Sequence, residues 1–343
     1  MEEHLNTLFI TTQGAYLSKE EEAVIVKVAG KVRHRVSVNN LEGIVCFGNV
    51  DCSPYLMGFC AQKNVFIIFL SEHGRFLARV QGPTSKNDLL RREQYLRTDD
   101  PKFSTDMARC IISGKIINYC NVLKRALRDN RDKINAERVW QVVSHLGRCL
   151  LSVEQEKSLD NLRKTEGYAT HRYFSVFNEL ILMQKENFPF EERTRRPPLD
   201  PVNCLLSFAY SLLDHDIRSA LESVGLDPTA GFLHRDQPGR PGLAMDLMEE
   251  FRPFIVDRLV LSLINSLRVH VKGFHKSDTG AVLMDDETRR TLLVAYQDEK
   301  LKELLHLFLD EKISIKLLFH VQAMLLSRYL CGDLDRYQPF IYR

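Results

Sequence analysis

The sequence predicts an α+β protein in which a small, mainly β domain precedes a larger helical domain. Two patterns support this prediction. Short runs that are mostly rich in Val, Ile and Thr, separated by turn-forming Gly and Asn, fill about the first 82 residues. From residue 87 onward, long segments without internal proline carry apolar residues at helical spacing. We therefore place the domains at residues 1–86 and 87–343, with the linker at Gly82–Ser85.

The N-terminal domain is predicted to contain one helix among its strands. Ser53 is a good N-cap, and Pro54 suits the first helical position because a proline has no N–H to leave unsatisfied there. The strands are predicted at residues 5–11, 22–28, 31–38, 41–47, 65–70 and 75–80.

The larger domain is predicted to be built from helices that present apolar stripes to a core. The first two helices are expected at Asn87–Leu96 and Phe103–Arg128. Two further stripes, within residues 255–267 and 301–308, have the three-and-four or four-residue spacing of a core-facing helix. Residues 273–284 are expected to form a short hairpin between helices.

Composition is that of an ordinary globular protein. The chain has 343 residues, of which 44% are hydrophobic and 27% charged, and its formal net charge is +2. That balance does not by itself indicate a nucleic-acid partner. The distribution is more informative, because the segment Arg91–Lys133 contains 11 Lys or Arg against 6 Asp or Glu.

Cysteine usage and hydropathy predict a cytoplasmic protein that does not enter a membrane. The eight cysteines include no C-x-x-C pair, which disfavours a zinc ribbon and a thioredoxin-type redox site. The N-terminus lacks an apolar secretory core. The densest apolar run, Val65–Leu70, is far too short to span a bilayer. Free cysteines without an export signal are typical of a reducing compartment.

Several common catalytic signatures are absent. The sequence contains no G-x-x-x-x-G-K-[ST] loop, no G-x-G-x-x-G and no H-E-x-x-H. It also contains no G-x-S-x-G. These absences disfavour the usual nucleotide-binding, zinc-protease and α/β-hydrolase classes.

Candidate catalytic residues are Glu166, His234, Asp246 and Glu249. Carboxylates and one imidazole, with no thiolate nearby in the sequence, form a ligand set that suits Mg²⁺ or Mn²⁺ better than zinc. Those ions mostly serve chemistry at phosphates, so the set predicts phosphoryl transfer on a polyanion. Taken alone, each residue has a simpler interpretation, namely a solvent-facing glutamate or a structural histidine.

Spacing supports a cation near Asp246 and Glu249 but does not identify every ligand. On a helix, residues three apart share one face, where two negative charges repel and a cation would remove the penalty. Glu250, four residues after Asp246, competes with Glu249 on spacing alone. Pro253 is expected to end or kink this helix, which places the acidic residues beside a break in regular structure.

Basic residues that could track DNA phosphates occur in three places. Lys124, Arg128 and Arg131 repeat at four and three on one helix face. Arg193, Arg195 and Arg196 form a compact cluster before two prolines. Arg235 and Arg240 lie in a Pro- and Gly-containing loop beside the metal-ligand candidates. The alternative for each group is a solvated surface.

Four motifs in the second domain are specific when taken together. They are Glu166-Gly167; Arg196-Pro197-Pro198-Leu199-Asp200-Pro201-Val202-Asn203 with Ser207 and Tyr210; Gly231-Phe232-Leu233-His234; and Asp246-Leu247-Met248-Glu249-Glu250-Phe251-Arg252-Pro253. Through them the chain resembles, over nearly its full length, the CRISPR-associated integrase, or endonuclease, of spacer acquisition. Residues 331–335, Cys-Gly-Asp-Leu-Asp, also resemble the subtype I-C branch.

The resemblance implies a β-sandwich-like N-terminal domain and an all-helical catalytic domain. It also implies a homodimer that assembles with a small CRISPR-associated adaptation partner and binds double-stranded DNA. The family's metal ligands fall on Glu166, His234 and Glu249, which selects Glu249 over Glu250. Asp246 matches a further acidic position near the metal.

We therefore expect an integrase that depends on Mg²⁺ or Mn²⁺ and joins the 3′-hydroxyl of captured DNA to the CRISPR repeat by transesterification. One alternative is a metal-dependent nuclease on branched or single-stranded DNA, with water as the nucleophile. Another is a non-catalytic DNA-binding scaffold with a structural metal.

Overall fold

The computed structural model describes residues 7–41, 43–63, 65–72, 76–80, 88–195, 197–234 and 241–343. The chain divides into two compact units, Met1–Lys86 and Asn87–Arg343. The first is rich in β strands and the second in helices, which confirms the predicted fold class. Among the described residues, no helix is long and apolar enough to cross a bilayer.

The N-terminal unit consists of two four-stranded sheets and one helix. One sheet has the order β1-β5-β7-β8, in which only the pairing of β7 with β8 is antiparallel. The other has the order β4-β3-β2-β6, in which only the pairing of β2 with β6 is parallel. The strands are β1 (Thr7–Ile10), β2 (Ala15–Glu20), β3 (Ala23–Val28), β4 (Lys31–Ser37), β5 (Gly43–Phe47), β6 (Val50–Cys52), β7 (Phe66–Leu70) and β8 (Phe76–Val80).

One apolar core joins both sheets to helix α1 (Pro54–Gln62). Leu17 of one sheet, Ile67 of the other and Leu56 of the helix are all fully buried in it. The helix begins as predicted, because Ser53 Oγ accepts a hydrogen bond from Leu56 N at 3.2 Å and Pro54 follows the cap. Strands β2 and β6 were not predicted from the sequence.

The second unit is mostly helical. Its α helices are α2 (Asp88–Asp99), α3 (Pro101–Asn130), α4 (Ala136–Gln155), α5 (Leu159–Phe174), α6 (Pro201–Ser223), α7 (Gly242–Met248), α8 (Arg258–Asn265), α9 (Asp286–Leu301) and α10 (Ile315–Leu330). A π-helix spans Arg252–Asp257, and short 3-10 turns span Phe177–Leu180 and Val271–Gly273. Two antiparallel hairpins pair β9 (Phe274–Lys276) with β10 (Val282–Met284) and β11 (Glu303–His306) with β12 (Glu311–Ser314).

Helix α3 is the long central element of this unit. Asp100 caps it by accepting hydrogen bonds from the N–H groups of Lys102 and Phe103. It packs against α4, α5 and the π-helix, so one face is almost continuously buried. Most of that face is apolar, but Ser104, Thr105 and Asn118 are buried on it, as is one charged residue, Lys115. A long buried helix of this kind provides a rigid support for groups attached to it.

The interpretation of residues 301–308 as a core-facing helix was wrong. Helix α9 ends at Leu301, and the next residues form the β11–β12 hairpin. Leu305 is 47% exposed and Phe308 is 50% exposed. At the other apolar stripe, Ile255, Leu259 and Leu263 are buried as predicted, but Leu267, beyond the end of α8, is 44% exposed, so that part of the prediction was wrong.

Limited proteolysis of the full chain is expected to cut within or near Gly82–Lys86. The physical reason is the division into two units, each with its own buried apolar residues, at this point of the chain. Mass spectrometry should then identify a helical fragment beginning close to Asn87. Resistance there, with cleavage confined to residues 150–250, would contradict independent folding of the two units.

Candidate metal and catalytic site

Glu166 lies on α5, where it faces α3. Ser158 caps α5 by accepting from Asn161 N. One turn after Glu166, Thr170 Oγ1 donates a 2.9 Å hydrogen bond to Glu166 Oε1. The same oxygen contacts the ammonium of Lys115 on α3. Glu166 is therefore held by two donors and is not a free surface carboxylate.

Asp246 organises the segment that carries His234. Its Oδ2 accepts the N–H groups of Phe232 and Leu233 at 2.6 and 3.0 Å. Its Oδ1 accepts His234 N at 3.0 Å and lies 2.7 Å from His234 Nδ1. This arrangement places the ring proton on Nδ1 and leaves Nε2 with a lone pair, as in a carboxylate–histidine pair that supports a metal ligand.

Two glycines permit this close turn. A Cβ on Gly231 would lie 2.4 Å from the Gly242 carbonyl carbon, and a Cβ on Gly242 would lie 2.4 Å from the His234 carbonyl oxygen. Both obstacles are backbone atoms, which cannot rotate away. The two glycines therefore let the His234 segment lie against the start of α7.

Glu249 sits where regular helix breaks. Helix α7 ends at Met248, and Glu249 is its C-cap residue. The π-helix begins three residues later, with Pro253 near its start. The predicted break near Pro253 is therefore present. It turns the Glu249 side chain, which is 1% exposed, toward Lys115 and Arg252.

Glu166 and Glu249 meet at the ammonium of Lys115, and His234 lies beside Glu249. Glu249 Oε2 is 2.6 Å from Lys115 Nζ, which also contacts Glu166. Glu249 Oε1 is 4.0 Å from His234 Nε2. The close carboxylate pair is thus Glu166 with Glu249, whereas the spacing argument pointed to Asp246 with Glu249. Asp246 instead uses both of its oxygens on the His234 segment.

Both glutamates of this pair are ionised. Burial alone would raise the pKa of Glu249, but the Arg252 guanidinium and the Lys115 ammonium outweigh it and lower that pKa to about 2. Burial would likewise raise the pKa of Glu166, and Lys115 again reverses the direction. The pKa of Lys115 is raised, because the attraction of both glutamates exceeds the effect of burial. The site therefore holds two anionic carboxylates at neutral pH.

The three side chains fit Mg²⁺ or Mn²⁺ in their chemistry. Two ionised carboxylates and an imidazole nitrogen are a suitable ligand set. Glu249 Oε2 is buried and accepts no hydrogen bond of normal geometry, although the Lys115 ammonium is close. Among the described residues, no three His, Cys, Asp or Glu side chains stand close enough together to enclose a metal ion. The Lys115 ammonium lies between the two glutamates instead.

Glu250 belongs to a different cluster. Its oxygens accept hydrogen bonds from Gln322 Nε2, Tyr337 OH and Phe340 N. These partners belong to α10 and the C-terminal segment, and the side chain is 2% exposed. Spacing left Glu249 and Glu250 as alternatives, and the structure brings Glu249 to Glu166 and His234.

The proposed DNA contacts fall into different environments. Lys124, Arg128 and Arg131 are exposed, at or just beyond the end of α3. Arg195 is exposed as well. Arg196, Arg235 and Arg240 lie outside the described residues.

Arg193 does not belong to a free cationic cluster. Its guanidinium donates to Asn203 Oδ1 at 2.6 Å and to Ser207 Oγ at 3.0 Å. It also lies 5.3 Å from the ring centroid of Tyr210. The Arg193 side chain thus connects its own segment to α6 by hydrogen bonds. We therefore withdraw Arg193 from the residues proposed to contact DNA phosphates.

Sequence reasoning missed two charged residues of the site. Lys115 interrupts the buried apolar face of α3 between Ile112 and Ile116, and such a lysine needs a partner. That interruption was the signal available in the sequence. Arg252 was visible in a family motif but received no role; its Nη1 lies 2.5 Å from Glu249 Oε1.

Replacing Asp246 by asparagine is expected to disturb both the fold and the His234 ring. In the asparagine variant, the side-chain NH₂ group would face backbone N–H groups that now donate to a carboxylate oxygen of Asp246. Each orphaned donor costs about 1–3 kcal/mol, and losing a ring-orienting carboxylate typically weakens metal binding by about 10–100-fold. Thermal unfolding and Mn²⁺ titration measure the two effects. The exposed Asp278→Asn is the matched control; equal behaviour of both variants would contradict the role of Asp246.

Two solved proteins have a similar fold. A Cas1 protein from Thermotoga maritima superposes with a TM-score of 0.80 at 26% identity, covering 96% of this chain and 97% of that one. A casposase bound to integration product superposes with a TM-score of 0.85 at 22% identity, covering 99% and 95%. The second likeness shows the fold alone. Together they place the chain in the class with the Cas1 fold.

Sequence comparison identifies the family. The family model described as CRISPR associated protein Cas1 matches residues 8–298. The CRISPR-associated endonuclease Cas1 1 of Chlorobaculum tepidum is 52% identical over 343 residues, covering 100% of both chains. The CRISPR-associated endonuclease Cas1 2 of Rhodospirillum rubrum is 46% identical over 347 residues, again covering 100% of both. The chain belongs to the Cas1 family of CRISPR-associated endonucleases.

Proposed function

We propose that this chain is a metal-dependent DNA integrase of CRISPR adaptation. The 3′-hydroxyl of a captured fragment would attack a phosphodiester at the CRISPR repeat. The new phosphoester bond would form as the bond from that phosphorus to the repeat strand's own 3′-oxygen breaks, and the released strand would end in a 3′-hydroxyl. One observation carries the proposal: in a member of the Cas1 family, Lys115 Nζ contacts both Glu166 and Glu249, and Glu249 Oε1 lies 4.0 Å from His234 Nε2. Family membership supports the general role, and these contacts support the choice of residues.

The side chains have distinct roles in this proposal. Glu166, Glu249 and the Nε2 of His234 would hold Mg²⁺ or Mn²⁺, which when bound would polarise the phosphoryl oxygens and stabilise developing negative charge. Asp246 positions His234 by accepting its ring N–H and the backbone N–H groups of its segment. Arg252 fixes one oxygen of Glu249, which sets the direction of the other. No covalent protein intermediate is required, because the incoming hydroxyl is the nucleophile.

Hydrolysis is the second candidate, since the relatives above carry the name endonuclease. The same residues would serve it with water as the nucleophile. A product assay separates these activities. A labelled fragment and repeat DNA should give joined product with Mn²⁺, and a fragment ending in a 3′-deoxynucleotide should give none. Cut product with both fragments would support hydrolysis, and a shifted band without product would support a scaffold.

DNA binding is proposed to use the exposed face formed by Lys124, Arg128 and Arg131. If these side chains contact phosphates, affinity should fall steeply with salt through counterion release. Reversing all three to glutamate should lower the slope of log K against log salt by about one for each lost contact. Fluorescence anisotropy over a salt series measures this slope. Reversal of Lys302, which directly follows α9, and of Lys312 on β12 is the control. An unchanged slope in the triple variant would show that this face does not contact phosphates.

We also propose a homodimer and a small CRISPR-associated adaptation partner, on the strength of the family resemblance. Light scattering of the purified chain, alone and with the partner, tests both assemblies. A monomer at all concentrations would contradict the first.

A further inference from the structure

Lys115 is the most deeply enclosed cation of the candidate site. Its side chain is 2% exposed, and its Nζ contacts Glu166 Oε1 and lies 2.6 Å from Glu249 Oε2. The same nitrogen lies 5.6 Å from the ring centroid of Tyr119, one turn along α3. A buried ammonium is costly unless it is paired, and these two carboxylates provide the pairing.

The Lys115 ammonium lies between Glu166 and Glu249, the position that the proposed metal ion would have to occupy. Glu166 and Glu249 would repel each other if they were left alone as two ionised carboxylates. Lys115 removes that repulsion while no metal is bound. Arg252 neutralises the other oxygen of Glu249, so two cations balance two anions. A divalent ion that bound both glutamates would have to take the place of the Lys115 nitrogen.

We propose that Lys115 is a built-in competitor of the metal: it holds Glu166 and Glu249 together in the metal-free protein and is displaced when a divalent cation binds. Lys115 thereby sets the metal affinity of the site. The inference rests on the proposed function, because it takes these glutamates to be metal ligands.

Replacing Lys115 by methionine in the full chain tests the proposal. Methionine keeps an unbranched side chain and removes the charge. The variant should bind Mn²⁺ about tenfold more tightly or better, an effect of the size common for groups beside metal ligands. Its metal-free melting temperature should fall, and Mn²⁺ should raise it further than in wild type. Calorimetric titration gives the affinity. Unchanged or weaker binding in a folded variant would overturn the proposal.

Lys300→Met is the matched control. Lys300 is also a buried lysine, and its Nζ pairs with Asp216 at 2.9 Å, outside the candidate site. This variant should lose thermal stability but keep the wild-type Mn²⁺ affinity. If wild type and Lys300→Met bind no Mn²⁺, the proposed metal site itself fails. If both bind Mn²⁺ and Lys115→Met binds it no better, only the competitor role fails.

A measurement on wild type covers the case in which Lys115→Met does not fold. In protein labelled with ¹⁵N-lysine, the paired Lys115 ammonium should give an NMR signal protected from water exchange. Addition of Mg²⁺ should shift or abolish that signal, while the signal of Lys300 stays in place. Persistence of the Lys115 signal at saturating Mg²⁺ would contradict displacement.

Discussion

Replacing Glu249 by glutamine is expected to reduce strand joining by about 100-fold or more, the scale seen when one group that stabilises transition-state charge is removed. The substitution keeps the shape of the side chain but removes the charge that faces Lys115 and Arg252. DNA binding and dimerisation should persist, because the helical core carries the fold. A joining assay, an anisotropy assay and thermal unfolding measure the three properties.

His234→Ala should have an effect of similar size on joining. It removes the one imidazole near Glu249, while the backbone N–H groups of its segment keep Asp246 as their acceptor. The variant should therefore fold. Normal joining by both His234→Ala and Glu249→Gln would mean that the metal site has been misassigned.

Glu250→Gln is the matched control for Glu249→Gln. Glu250 is buried away from the pair, among donors from Gln322, Tyr337 and Phe340. Its replacement should lower stability by about 1–3 kcal/mol, the cost of an unsatisfied buried group. Joining should be much less affected. An active Glu249→Gln beside an inactive Glu250→Gln would show that the ligand assignment is displaced by one residue.

Removal of divalent metal should abolish joining completely. The ligand set is rich in oxygen, with one imidazole, so Mn²⁺ or Mg²⁺ should restore activity after chelation. The same DNA substrate is assayed with excess EDTA and then with each ion in excess over EDTA. Binding of DNA in EDTA serves as the control for an intact fold. Full joining in excess EDTA would rule out metal dependence.

The fold followed from the sequence where the local signals were strong. Ser53 and Pro54 marked the start of α1, and the apolar spacing of α3 predicted a long helix. Strand β2 was missed because its second half, Ser18-Lys19-Glu20, is polar and gives no apolar alternation. The 301–308 segment misled because its four apolar residues fall in different elements. Leu301 ends α9, Leu304 and Leu305 lie on β11, and Phe308 lies in the turn before β12.

The sequence supplied candidate ligands but not the charge balance around them. The family resemblance selected Glu166, His234 and Glu249, whereas spacing within one helix pointed to Asp246 as a partner for Glu249. Spacing cannot show that Asp246 turns to the backbone of residues 232–234. Lys115 lies 51 residues from Glu166 in the sequence, so only the packing of α3 against α5 brings the two together.

Crystals soaked in Mn²⁺ would test most directly whether Glu166, His234 and Glu249 bind one metal ion. Anomalous diffraction should show a peak bound by carboxylate oxygens of Glu166 and Glu249 and by His234 Nε2, at about the 2.0–2.2 Å expected for a small divalent cation. Lys115 Nζ should have left its place between the two glutamates, and Asp246 should remain on His234 Nδ1. A peak bound through Asp246 or Glu250, or no peak at saturating Mn²⁺, would contradict the site described above.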